Sequence, residues 1–119
     1  MANRIDLKQL VLLINDQKNL ETNLCLDEGC VIFADDQSPL IKVINYFLNY
    51  LQNISSKTIE ISLDLMANSM LMTMMAFTDK ESLPELSPNL KDALAGYKAG
   101  YEAVHDAGNY FQIKITFPK

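Results

Sequence analysis

A chain of 119 residues, 49% hydrophobic and 21% charged, can build one hydrophobic core; this excludes a two-core protein and a disordered one. Its net charge of −5 excludes a surface made for nonspecific contact with nucleic acid or anionic membranes, both of which need basic patches. No apolar run reaches the roughly 18 residues of a membrane helix. The opening MANRIDLKQL lacks the apolar stretch of a signal peptide, so a cytoplasmic location is expected.

In chain order, residues 6–17 carry Leu7, Leu10, Val11 and Ile14 on one helical face, with Asp6 placed to cap the start. TNLCL and CVIFA then predict two short strands around the turn DEG. Cys25 and Cys30 have no second cysteine pair or histidine cluster to complete a zinc site, so unbridged, reduced thiols and no metal are expected. Ser38 is the predicted N-cap of the next helix, with Pro39 at its first position. That helix runs from 39 to about 54. Leu40, Ile41, Ile44, Phe47, Leu48 and Leu51 form its apolar face, Asn45 and Asn49 its solvated side, and Tyr46, Tyr50 and Asn53 one flank.

KTIEISLDL alternates, with Ile59, Ile61, Leu63 and Leu65 on one face and Thr58, Glu60, Ser62 and Asp64 on the other. After the turn ANS, MLMTMMAFT returns as its hairpin partner. The methionines there fit either core packing or a pliable binding surface. Residues 79–89, with two prolines and several acids, predict a loop. A helix is expected from Leu90, with Leu94, Tyr97, Tyr101 and Val104 on its face. Gly96 and Gly100 weaken it, and leave a short strand open as the alternative for its second half. Phe111, Ile113, Ile115 and Phe117 alternate in a final strand. Half-polar strands and a few helices predict an α+β fold: a two-layer α/β sandwich, its sheet mostly antiparallel, with helices on one face.

This order of pieces resembles the catalytic ATP-binding domain of sensor histidine kinases, the histidine-kinase-like ATPase (GHKL) fold, over nearly the whole of 1–119. IDLKQLVLLI resembles the entry segment. VIFADDQSPLIKVINYFLNYLQNIS resembles the strand, acidic cap and N-box helix. KTIEISLDL and MLMTMMAFTD resemble the hairpin before the first glycine box, and GNYFQIKITFP the closing strand. The resemblance places the two N-box asparagines, one of which holds magnesium, at Tyr46 and Tyr50. A phenol is a poor ligand for a hard cation. Shifting to Asn45 and Asn49 turns the helix by about 100° and exposes its apolar face.

The next family motif, D-x-G-x-G, matches DKESL: Asp79 keeps the acid, and the glycines are gone. Residues 83–95 contain no glycine for a phosphate-cradling loop. His105, the only histidine, beside a turn, fits a surface or hydrogen-bonded role.

The resemblance therefore implies a degenerate ATPase-like domain with no cofactor, metal or catalytic residue. It would serve as a regulatory or docking module of a two-component-type pathway, with a response regulator or kinase as partner and neither nucleic acid nor membrane. Tyr46, Tyr50, Asn53, Tyr97 and Tyr101 are the candidate partner contacts if exposed; packing at the rim of the core is the alternative for the tyrosines. A divergent ATP-binding domain using Asp79, or a small-ligand binder using the vacated cleft, are the other functional readings.

Overall fold

A computed structural model describes residues 2–119. Five strands form the main sheet in the order β2 (Thr22–Leu26), β4 (Ile59–Leu65), β5 (Ser69–Phe77), β7 (Tyr110–Pro118) and β6 (Gly100–Asp106). β2 lies parallel to β4, and every other neighbouring pair is antiparallel. A separate two-stranded sheet joins β1 (Asn3–Asp6) to β3 (Val31–Ala34). Three helices, α1 (Leu7–Lys18), α2 (Ser38–Ile54) and α3 (Leu90–Ala95), lie on one face of the main sheet. The predicted α+β sandwich is the observed architecture.

The two-residue period of the strands decides which side chains meet the helices. Ile59, Ile61 and Leu63 of β4, Met70, Met72, Met74 and Ala76 of β5, and Phe111, Ile113, Ile115 and Phe117 of β7 are buried. Those methionines are core packing, and Met66 in the hairpin turn is exposed. Leu65, expected to point at the helices, is 40% exposed. It sits at the hairpin end over Gly29, where a Cβ would stand 3.3 Å from Leu65 Cδ2. Gly29 has a φ of +86°, so a side chain there would be both strained and crowded.

α1 begins as expected, with Asp6 accepting a hydrogen bond from Gln9 N. α2 begins differently. Ser38 is its first helical residue, not its cap; Gln37 takes the cap position and offers no side-chain bond. The orphan N–H groups of this helix start find other acceptors. Asp36 Oδ1 takes the Ser38 N–H at 2.9 Å, and the Tyr97 hydroxyl takes that of Leu40 at 3.0 Å. Hydrogen bonding by the Ser38 N–H, and then by its side chain, holds the Asp36 carboxyl below its ordinary pKa. The buried side of α2 adds Val43, Tyr50 and Ile54 to the predicted residues; Asn45 is half-buried, and exposed Asn49 accepts from Lys18 Nζ at 2.8 Å.

Three further elements depart from the sequence reading. β1 was not expected: it is a strand of 4 residues, three of them polar, too short to show a period. TNLCL and CVIFA are both strands, yet they join different sheets rather than each other. The helix expected through Val104 stops at Ala95, and β6 takes up 100–106. Gly96 and Gly100 weaken any helix, while β7 offers β6 a full ladder from Gly100–Thr116 to Asp106–Tyr110. Tyr101 then faces the core side, and Val104 the opposite one.

Candidate functional site

The flank of α2 that carries Tyr46 and Tyr50 faces the 79–89 segment. Four residues apart on a helix, the two side chains stand one above the other, and their ring centroids are 6.5 Å apart. The Tyr50 hydroxyl donates to the Pro84 carbonyl at 2.5 Å, and the Tyr46 hydroxyl accepts from Ser87 N at 2.8 Å. The segment is thereby clasped to the helix at two points. Leu83, just before the first point, and Leu86, between the two, pack against the core. The Tyr50 ring also meets Phe111 of β7 at 5.1 Å. Burial raises the Tyr50 pKa above its ordinary value, and the neighbouring Tyr46 raises it further.

Tyr97, just past α3, makes a second long-range fastening. Its hydroxyl donates to the Asp36 carbonyl at 2.6 Å while accepting from Leu40 N. Burial raises its pKa, the Leu40 N–H pulls it back, and Asp36 adds a smaller upward push. Tyr101, on β6, lies half-buried with its ring 5.8 Å from that of Phe47.

Of the two readings left open for these tyrosines, packing at the rim of the core is the one observed, and exposure is not. Tyr50 and Tyr97 are each 8% exposed, and Tyr46 and Tyr101 are half-buried against the core. Asn53 is exposed. For Tyr46, Tyr50 and Tyr97 the hydroxyls bond to backbone 34 to 61 residues away in sequence, which no local pattern displays.

At the C-terminal end of α2 a cleft of about 580 Å³ opens, with Asn53, Lys57, Asp79, Lys80 and Asn109 on its walls. Asp79, the acid that the resemblance assigns to nucleotide binding, is exposed on its rim. Its floor is fixed by Thr78, the only buried polar residue among those described. Thr78 Oγ1 donates to the Ile54 carbonyl at 2.7 Å and accepts from Lys80 N at 3.3 Å. His105 is held there too, its Nε2 3.1 Å from the Lys80 carbonyl oxygen. Sequence reasoning missed Thr78, Lys57 and Asn109, because only the fold brings the helix end, the strand end and the β6–β7 turn together.

A magnesium–nucleotide pair needs hard oxygen ligands and converging N–H donors. At Tyr46 and Tyr50 the structure offers two phenols already bonded to the facing segment. Among the described residues no three His, Cys, Asp or Glu side chains gather as a metal site. These residues do not fit that pair. Cys25 is exposed, Cys30 is buried, and both are free thiols. No described helix is long and apolar enough to cross a membrane.

No protein-family model and no curated protein sequence matches the chain. Solved structures do match. The mycobacterial sensor histidine kinase MprB is similar with a TM-score of 0.78 at 10% identity, over 99% of this chain and 97% of that one. The histidine kinase domain of the E. coli osmosensor EnvZ has a TM-score of 0.77 at 10% identity, over 99% and 89%. The Acinetobacter baumannii histidine kinase AdeS has 0.74 at 12% identity, over 99% and 67%. At such low identity the likeness speaks for architecture alone, and it is complete over this chain. The protein has the fold of the catalytic, ATP-binding domain of sensor histidine kinases, the histidine-kinase-like ATPase fold.

Proposed function

We propose that the chain, as one domain, is a non-catalytic regulatory or docking module that uses the histidine-kinase-like fold without binding nucleotide. The observation that carries this reading is the clasp of Tyr46 and Tyr50 on residues 84–87. The α2 flank to which the resemblance assigns two amides carries two phenols bonded to its own chain. The glycine-free 83–95 stretch supports the same reading, since side chains and prolines stand where a phosphate loop needs freely placed N–H groups. Its partner would be a protein of a two-component pathway, a response regulator or a kinase. Of the contact residues considered, Asn53 is the one that stays open to such a partner.

The test is isothermal calorimetry with millimolar ATP and magnesium. No saturable heat is expected from the unaltered protein, and none from Tyr50→Asn, because that change restores one amide and leaves the loop unaltered. Clear saturable binding by the unaltered chain would favour a divergent ATP-binding domain. The cleft beside Asp79 favours a second reading, a small polar ligand other than nucleotide. Thermal shift across a metabolite panel separates the two, since a ligand at a hundredfold its dissociation constant adds about 2.7 kcal/mol.

A further inference from the structure

β6 is a terminal strand of the main sheet, so one of its edges has no strand partner among the described residues. Edge strands are usually protected by proline, by charged side chains (lysine above all), by a bulge or by short length; the charges of β6 are the two acids Glu102 and Asp106. β6 has 7 residues, GYEAVHD, with no proline or lysine. Its ladder to β7 runs without interruption from Gly100 to Asp106.

The direction of its free backbone groups follows from the turn. Asp106 closes it, its carbonyl accepting from Asn109 N at 2.9 Å. Along an antiparallel strand the N–H and C=O groups of successive residues alternate between the two edges. Asp106, Val104, Glu102 and Gly100 therefore face β7, and Tyr101, Ala103 and His105 present theirs at the open edge.

We infer that this edge pairs with the same edge of a second copy, antiparallel about a twofold axis at Ala103. The two acids of the strand select that register. Centred on Ala103, Glu102 stands opposite Val104 of the second copy and Asp106 opposite Gly100. Tyr101 meets His105, and the small, exposed Ala103 lies at the axis against its counterpart. Centring one residue earlier sets Glu102 against Glu102. Centring one residue later sets Glu102 against Asp106. Like charges directly opposite destabilise a pair, so only the Ala103 register joins the length of the strand free of such a clash. It also pairs outward-facing residues with outward-facing residues, as a hydrogen-bonded ladder requires.

A single shared strand pair is a small interface, and the association belongs to the weak, concentration-dependent class. Sedimentation equilibrium on the purified chain across micromolar to millimolar concentrations should show the mass rising from 13.4 kDa toward twice that value. Ala103→Pro removes an outward N–H that the monomer does not use, which an edge strand tolerates; it should stay monomeric throughout while keeping its circular dichroism. Val104→Glu places acid against Glu102 twice in the symmetric pair and should weaken association roughly five- to tenfold. Val104→Lys places opposite charges there and should tighten it by a similar factor. A merely structural role for Val104 would not give opposite signs. Mass fixed at 13.4 kDa at every concentration, or association indifferent to all three substitutions, overturns the inference.

Discussion

Where β4, β5 and β7 meet the helix layer, Phe47, Leu63, Met72, Ile115 and Phe117 lose all solvent contact. Along the Tyr46 flank of α2, by contrast, residues 79–89 carry no regular structure. That flank is fastened through single hydroxyl–backbone bonds at Tyr46 and Tyr50. The first region is stabilised by area removed from water, which is insensitive to the angle of any one group. The second rests on directional bonds, each worth about 0.5–1.5 kcal/mol net. One fold thus holds its sheet core by burial and the segment beside α2 by a few polar side chains.

Phe117→Ala, in the sheet core, should give the largest loss, about 3–5 kcal/mol in urea unfolding, because it leaves a cavity among immobile neighbours. A loss under about 1 kcal/mol, the range of ordinary surface changes, would break the contrast. Tyr97→Phe comes next. It keeps the ring but removes the group shared by the Leu40 N–H and the Asp36 carbonyl, leaving a buried donor unmet. About 1–3 kcal/mol should be lost. Tyr50→Phe should cost less, about 0.5–1.5 kcal/mol, since the Pro84 carbonyl it releases lies near solvent. Its sharper readout is local: amide exchange at 83–87 should quicken while the β4, β5 and β7 amides stay protected.

The smallest effect is on pH dependence. Tyr50 and Tyr97 have pKa values raised by burial above the ordinary 10.0. The unfolded chain therefore releases these protons first as pH rises. The stability that the neutral phenols contribute is whole below pH 10 and is lost as pH climbs toward the raised folded-state values. Unfolding midpoints followed from pH 8 to 11 should fall, and fall less in Tyr50→Phe and Tyr97→Phe. An equal fall in the variants would show that other groups cause it.

The same contrast explains what the sequence disclosed. The alternation in 59–65 and 111–117 exposes the sheet core directly, because burial on one face leaves a two-residue period. The apolar face of α2 is equally plain. β6 was obscured because Leu90, Leu94, Tyr97, Tyr101 and Val104 continue a helical spacing that the β7 ladder overrides. The clasp was hidden for another reason. Tyr46 and Tyr50 lie on a flank of the helix that leaves exposure and rim packing both open, and Pro84 and Ser87 arrive to cover them from far along the chain. The resemblance located these positions, and the sequence could not show what they touch.

The position of β7 between β5 and β6 bears on how the chain behaves while it is being made. Until β7 is complete, β6 cannot join the sheet, and β5 has a bare edge. The β5 segment SMLMTMMAF has no charge, no proline and no glycine, the composition of strands that pair promiscuously between chains. Ribosome-bound chains ending before Tyr110 should therefore be the ones that chaperones hold and that aggregate when released.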